Sequence, residues 1–390
     1  MKSSLFFILI HMIVCSCKEK NTSAEASLAY SYELRKANKE KQFELDAETS
    51  YNAFYLYVFS DEKGKEYLSF LNYRTNQILF YDFETCDFLF KTEMEREGVH
   101  GVNLLSGYYI KDFNNIYVSS YSTPGLIKTD TTGKILQKIL YGTTNDGYEI
   151  VPSYAPSSRP FIPPIFIGDT LYIIQQAANH IYTATKTPIS VAIDTLHHTY
   201  KQLPFLFGDI LPDEYFSQQG ESRFSREYNE NRFIYSFYAD EYIYVTSTNH
   251  QNIEKIHVKS KYIDRIEMIK PPSDPNVAVK KVLETAHYGD LIYDKYRNVY
   301  YRFVYPKTEL DANKTHMGTG VFGRKLFSVI ILDEQFRIIG ETRFPENIYN
   351  SFVFFVHSDG LYISSDYQIN FEQSDDQLNF ELFELIKNEK

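Results

Sequence analysis

The sequence predicts an all-β protein, a six-bladed β-propeller whose ring is closed by an N-terminal strand pairing with the C-terminal blade. Three observations predict it. First, a phrase made of a turn and then aliphatic–Tyr–aliphatic or aromatic returns through the chain. It stands at Asn115-Ile116-Tyr117-Val118, Thr170-Leu171-Tyr172-Ile173, Tyr242-Ile243-Tyr244-Val245, Asn298-Val299-Tyr300-Tyr301 and Gly360-Leu361-Tyr362-Ile363, with a degenerate copy at Lys65-Glu66-Tyr67-Leu68. Its six tyrosines lie 50, 55, 72, 56 and 62 residues apart, so the chain is a repeat of one small sheet unit. Second, 34 Tyr and 30 Phe with no Trp suit stacked sheets better than a helical bundle. Third, the segment Gln42 to Leu45 belongs to no blade, while the last blade lacks an outer strand. A ring of sheets closes when one chain end completes the unit begun by the other, and closure hides edges that would template aggregation. Seven blades is the alternative, because the gap between Tyr172 and Tyr244 has room for a degenerate unit.

Residues 1–16 read as a lipoprotein signal peptide. Lys2 precedes an apolar run from Leu5 to Val14 that is too short to span a bilayer as a stable helix. The run ends in Val14-Cys15-Ser16-Cys17, which resembles the bacterial lipobox, with an aliphatic residue at −3, a small one at −1 and Cys17 as the lipid acceptor. Residues 17–41 are polar and read as the lipid anchor and a tether, with a little helix near Leu28 to Lys36. Loss of residues 1–16 removes Lys2, so the net charge of −11 becomes −12. A chain this acidic offers no footprint to nucleic acid and is repelled by an anionic membrane surface, so the acyl chains must hold it. Cys86 is then the one free thiol, buried or half-buried at a strand end, and no internal disulfide supports the fold.

Residues 42–390 form the propeller domain. Blade one takes Phe54–Phe59, Tyr67–Asn72, Gln77–Asp82 and Phe88–Thr92, and blades two, three and five follow the same pattern around Tyr117, Tyr172 and Tyr300. Blade four uses Phe233–Phe237, Tyr242–Thr246, Ile253–His257 and Tyr262–Ile269. Blade six has Phe352–Val356, Leu361–Ser365 and Leu378–Ile386, with Gln42–Leu45 as its outer strand. Third strands close on Asp82, Asp130, Asp194 and Asp333, because an aspartate there accepts backbone N–H groups and starts a tight turn. The repeated tyrosines are inter-sheet packing, each hydroxyl bonded to backbone.

Connection lengths are sided. First-to-second and third-to-fourth links are short turns, among them Asp240-Glu241, and share one face of the ring. The insertions Gly142–Pro163, Pro204–Asn231, Lys270–Ala286 and Pro306–Lys325 all fall on the other face. Long loops gathered on one face of a repeat protein mark its working face. Charged residues there are the candidate ligand contacts: Arg159 in Ser157-Ser158-Arg159-Pro160, Arg223 and Arg226 around Phe224, Arg302 toward its strand end, and His316 and Arg324 in the Gly-containing loop. Arginines converging on a channel mouth suit a carboxylate- or phosphate-bearing ligand, against the alternative that they pin long loops as structural pairs. No nucleophile elbow, HExxH or EF-hand spacing is present, so no catalytic residue, metal or cofactor is assigned.

The lipobox together with Tyr293-Asp294-x-Tyr296-Arg297-x-Val299-Tyr300-Tyr301-Arg302 and Phe233-Ile234-Tyr235-Ser236-Phe237 resembles an uncharacterised family of Bacteroidota lipoproteins, a domain of unknown function with a six-bladed, TolB-like propeller. The resemblance covers residues 40–386 and implies an outer-membrane location, on the periplasmic face or the cell surface. The function expected is that of a monomeric binding or scaffolding lipoprotein meeting an envelope protein, peptide or glycan. The alternative is a propeller enzyme, a metal-dependent lactonase-like or glycosidase-like hydrolase. Fold alone does not choose between them.

Overall fold

The computed structural model describes residues 30–49, 56–120, 123–150, 162–175, 184–210, 223–267, 274–310, 323–367 and 376–388. The first strand, β1 (Tyr32–Glu44), stands apart from the chain-order pattern. After it come β2 (Leu56–Ser60), β3 (Glu66–Asn72), β4 (Gln77–Asp82) and β5 (Phe88–Glu93), then β6 (Leu105–Asp112), β7 (Asn115–Ser120), β8 (Gly125–Thr129) and β9 (Ile135–Leu140). The third group is β10 (Ile165–Ile167), β11 (Thr170–Ile174), β12 (Ser190–Asp194) and β13 (Thr199–Gln202). The fourth is β14 (Phe224–Asn229), β15 (Arg232–Phe237), β16 (Tyr242–Ser247) and β17 (Ile253–His257). Each group is a four-stranded antiparallel sheet in chain order. A ten-residue helix, α1 (Pro275–Glu284), is capped by Asp274 and leads into β18 (His287–Asp294), β19 (Val299–Tyr305), β20 (Ser328–Leu332) and β21 (Ile338–Arg343). The last strands are β22 (Asn350–His357), β23 (Gly360–Ser364) and β24 (Gln377–Lys387).

These last seven strands and β1 share one eight-stranded sheet, ordered β18-β19-β20-β21-β1-β24-β23-β22. Hydrogen bonding therefore separates five sheets in a propeller-like, all-β arrangement, where the sequence suggests six blades. The reason is local. The antiparallel half β18–β21 meets the antiparallel half β22–β24 with β1 at one parallel pair, Tyr32 opposite Gly340. A Cβ at Gly340 would lie 2.2 Å from the Tyr32 carbonyl oxygen, so the missing side chain lets the two halves touch.

Pairing of the N-terminal strand with the last one is as expected, with Phe43 opposite Leu378. Phe43 is fully buried and meets the rings of Tyr81 and Phe380 edge-on at 5.6 and 6.1 Å. The strand starts at Tyr32, however, in place of the little helix and polar tether expected there. Its polar sequence is that of an outer strand: only Leu34, Lys41 and Phe43 are buried along it. A side-chain clasp ties the large sheet to the first one. His357 of β22 bonds Glu66 of β3 at 2.6 Å and also bonds Asp359, which Lys39 of β1 reaches at 2.5 Å.

The fourth sheet departs from the reading of the sequence. Phe233 to Phe237 is its second strand, β14 is its first, and Tyr244 lies on its third. The residue equivalent to the repeated tyrosine is Phe233, just after the turn at Glu230-Asn231, and Tyr67, Tyr117, Tyr172, Phe233, Tyr300 and Tyr362 are spaced 50, 55, 61, 67 and 62 residues apart. Among the described residues, the stretch between Tyr172 and Tyr244 completes the third sheet and begins the fourth, which accounts for the long gap without a seventh unit.

The sidedness of the links survives that correction. First-to-second and third-to-fourth links are short turns on one face, while sheet-to-sheet links and the longest second-to-third links leave from the other. Asp240-Glu241 moves to this second face as a second-to-third link. Because β24 runs toward the short-turn face and β1 runs back from it, Tyr32 and Lys387 lie side by side there. The described chain thus enters and ends on the face opposite the long links.

Aspartates shape the turns as expected. Asp82, Asp130, Asp194 and Asp333 each accept backbone N–H groups through Oδ1, for example from Leu196 and His197 at 2.9 and 2.8 Å. The same device corrects the tyrosine expectation. Where the hydroxyls of the repeat have recorded partners, these are side chains rather than backbone: Tyr67 donates to Asp61 Oδ2 at 3.0 Å, Tyr362 to Asp359 Oδ2 at 2.9 Å and Tyr244 to Asp240, while Tyr300 accepts from Asn229. At Asp61 and Asp240 one carboxylate oxygen takes the turn's amides and the other takes the phenol.

Candidate functional site

The inner edges of the sheets are β2, β6, β10, β14, β18 and the free edge β22. Among them β2 touches β6 and β22, and β18 touches β14 and β22. Residues just before β14, β18 and β22 therefore share the inner rim of the long-link face, which is where the sequence places its candidate contacts. Cys17, Arg159 and His316 lie outside the described residues.

Arg226 and Arg302 are not at the rim. Arg226, fully buried on β14, donates to Ser190 Oγ at 3.0 Å and to the carbonyls of Pro163 and Tyr172 at 2.5 and 3.1 Å, riveting the third sheet to the fourth. Arg302, fully buried on β19, lies 3.8 Å over the Tyr288 ring. Its Nε donates to Ser236 Oγ at 3.0 Å, and its Nη atoms reach the carbonyls of Glu241, Val258, Phe237, Asp240 and Tyr242. Burial lowers its pKa to about 10, still cationic at neutral pH. Both bind chain rather than ligand. A strand packed on both faces carries no alternation that could have told an inward arginine from an outward one.

Arg324 and Arg223 do reach the rim. Gly323 precedes Arg324 with φ +84, and a Cβ there would stand 2.6 Å from Ser351 N, so only glycine brings the chain this close to β22. The Arg324 amide then donates to Ser351 Oγ at 3.1 Å. Its guanidinium crosses to α1 and the start of β18, where Nη2 donates to Val282 O and His287 Nε2, both at 2.7 Å. The same head lies 5.5 Å over the Tyr305 ring.

Electrostatics fit this geometry. Burial, the Arg324 charge and the Arg223 charge hold the His287 pKa well below its usual value, so the ring is neutral, and its Nδ1 lies 3.0 Å from Thr285 O as the donor. Burial first, and the like charge of Arg223 among its neighbours, lower Arg324 to about 9. Tyr238, which follows β15, stacks near His287 and donates its hydroxyl to the buried Asp290. The site thus joins an exposed arginine, a buried one, a neutral histidine and phenols from two successive units. Sequence reasoning missed His287, Tyr238 and Asp290. The signal available was the position of His287 at the head of an inner strand after a long link. Among the described residues no group of three or more His, Cys, Asp and Glu side chains is placed to hold a metal ion.

Residues 31–343 match a family described as a domain of unknown function, DUF4221. A crystal structure of a member of that family from Bacteroides vulgatus is similar with TM-score 0.80 and 27% identity, covering 92% of this chain and 99% of that one. A putative exported protein from Bacteroides fragilis is similar with TM-score 0.54 and 10% identity, covering 93% and 98%. Among curated proteins nothing matches the chain.

Proposed function

Starting from the fact that the chain belongs to the DUF4221 family, we propose that it is a cell-envelope lipoprotein acting as a binding or scaffolding propeller, with its ligand met by the face that carries the long links. The observation that carries this reading is the separation of faces. Chain entry and exit share the short-turn side, and the long links share the other. Held by lipid at Cys17, the protein would turn its long-link face away from the membrane, toward an envelope protein, peptide or glycan. The six-bladed description belongs to the same proposal. Counting β22–β24 with β1 as one unit and β18–β21 as another gives six equal sheets, supported by a backbone ladder of only one residue pair between them.

Two variants test the reading in cells. Cys17→Ser is expected to move the protein from the membrane to the soluble envelope fraction. Replacing residues 311–322 by a Gly-Ser linker is expected to leave the fold intact and deplete the proteins or glycans that co-purify with it. An unchanged set of co-purified molecules across that replacement counts against the long-link face as the binding face.

A further inference from the structure

Beside the point where the described chain begins, an open groove of about 570 Å³ lies on the outer rim, formed by the link that follows β17 and by Tyr30. Glu341 of β21, only 6% exposed, fixes one wall of it. Its Oε1 accepts from Ser260 Oγ at 2.5 Å and Ser328 Oγ at 2.8 Å, and its Oε2 accepts from the Lys261 amide at 3.0 Å. The Ser260 amide donates to the Tyr288 hydroxyl at 3.1 Å. With its backbone pinned in this way, Lys261 carries its ammonium 4.5 Å from the Tyr30 ring and 5.0 Å from the Tyr262 ring, and it donates to the Glu341 carbonyl at 3.4 Å. Arg343 stands 5.7 Å over the same Tyr262 ring. Neither cation makes an ion pair among the described residues, because the Glu341 carboxylate is already taken up by three donors. An ammonium has three N–H groups, so Lys261 keeps some for a ligand. Lys259 lines the groove too, its Nζ 3.9 Å from Glu241 Oε2, and so does the exposed Asp264. Both signs of charge therefore meet in one aromatic-walled groove.

We propose that this groove binds the phosphoethanolamine headgroup of a membrane lipid, the phosphate on Lys259 and Lys261 and the ammonium on Asp264. Cys17 stands thirteen residues before Tyr30, and a stretch of that length spans at most about 45 Å. A lipid on Cys17 thus keeps the groove within reach of headgroups. An acidic chain is repelled by an anionic surface, whereas a zwitterionic headgroup offers a negative group to the lysines and a positive one to the aspartate. Tyrosine and lysine side chains are also those that settle at headgroup depth. The contact would set how the ring tilts on the membrane, and it rests on the reading of Cys17 as the lipid anchor. One headgroup is too weak a hold without the acyl chains, so Cys17→Ser is still expected to release the protein.

The test uses the protein from residue 17 on with Cys17→Ser, so that no acyl chain contributes. It is titrated calorimetrically with glycerophosphoethanolamine and with inorganic phosphate, and sedimented with vesicles of phosphatidylethanolamine and phosphatidylcholine or of phosphatidylglycerol alone. Glycerophosphoethanolamine is expected to bind saturably and more tightly than phosphate, and only the ethanolamine vesicles are expected to carry the protein down. Lys261→Ala is expected to weaken both responses about tenfold, the loss of one charge-assisted bond. Asp264→Asn is expected to weaken glycerophosphoethanolamine and leave phosphate unchanged. Should Lys261→Ala not fold, the exposed Lys259→Ala decides in its place: a weakened response supports the groove and an unchanged one overturns it. Equal binding of phosphate and glycerophosphoethanolamine, a site for any phosphate, overturns the headgroup assignment, as does a protein that neither binds glycerophosphoethanolamine nor sediments with the ethanolamine vesicles. If the groove fails in this way while Cys17→Ser still leaves the membrane fraction in cells, the lipid anchor stands without it.

Discussion

Arg302 shows what a structural arginine looks like in this molecule. It closes the seam between the fourth and fifth sheets by satisfying the carbonyls of Glu241, Val258, Phe237, Asp240 and Tyr242. Arg302→Met would strip those oxygens of their donor, and each buried unsatisfied group costs about 1–3 kcal/mol. Urea denaturation is expected to show a loss of at least about 3 kcal/mol. Charge at single residues also sets the pH response. Glu227, its Oε1 taking the Tyr293 amide at 3.3 Å, is raised by burial from 4.5 to about 8. The folded protein therefore holds a proton that the unfolded chain has released, and stability falls as pH rises through that window. Burial depresses His250 from 6.5 to about 4 and lowers His287 as well, so the unfolded chain takes up protons first and stability also falls as pH drops below 6.5. Between 4.5 and 6.5 two histidines oppose one glutamate, and the optimum lies near pH 6.5. Glu227→Gln is expected to abolish the decline between pH 6.5 and 8 in urea melts. An equal decline in that variant would remove Glu227 as its cause.

Among the elements, β1 joins the two halves of the large sheet, and Gly340 sets how closely. Gly340→Ala drives a methyl group into the Tyr32 carbonyl and should part β1 from β21 without disturbing its ladder with β24. Hydrogen exchange is expected to rise at Leu34, whose amide donates to Thr342 Oγ1 at 2.8 Å, and to stay unchanged at Phe43. Faster exchange along all of β1 would show that the two pairings are not separable. This scale also shows what could be read in the sequence. Second strands that begin with a turn and a tyrosine phrase were legible because turn chemistry and β-propensity agree there. The fourth sheet was misread because Phe233 fills the tyrosine position, and because Tyr244 copies the phrase one strand later. β1 was read short because an outer strand needs only a few buried side chains, too few to leave a pattern. The rim site was half legible: Arg223 and Arg324 follow from loop length, but their meeting with His287 depends on how three units turn about one axis, which no local pattern records.

In the whole molecule, the proposed function rests on the two faces. Short aspartate turns make one face uniform, and the chain enters and leaves there, while the other carries the long links and the Arg324 rim. A matched pair of surface residues samples both. Val99, 93% exposed, lies in the link between the first and second sheets on the long-link face, and Leu196, 65% exposed, lies in the β12–β13 turn on the opposite face. A photo-crosslinking amino acid placed at each position in the full-length protein, irradiated in intact cells, tests directly which side is used. The account predicts a discrete crosslinked partner from position 99 and none from position 196. A partner captured from position 196 alone would contradict it.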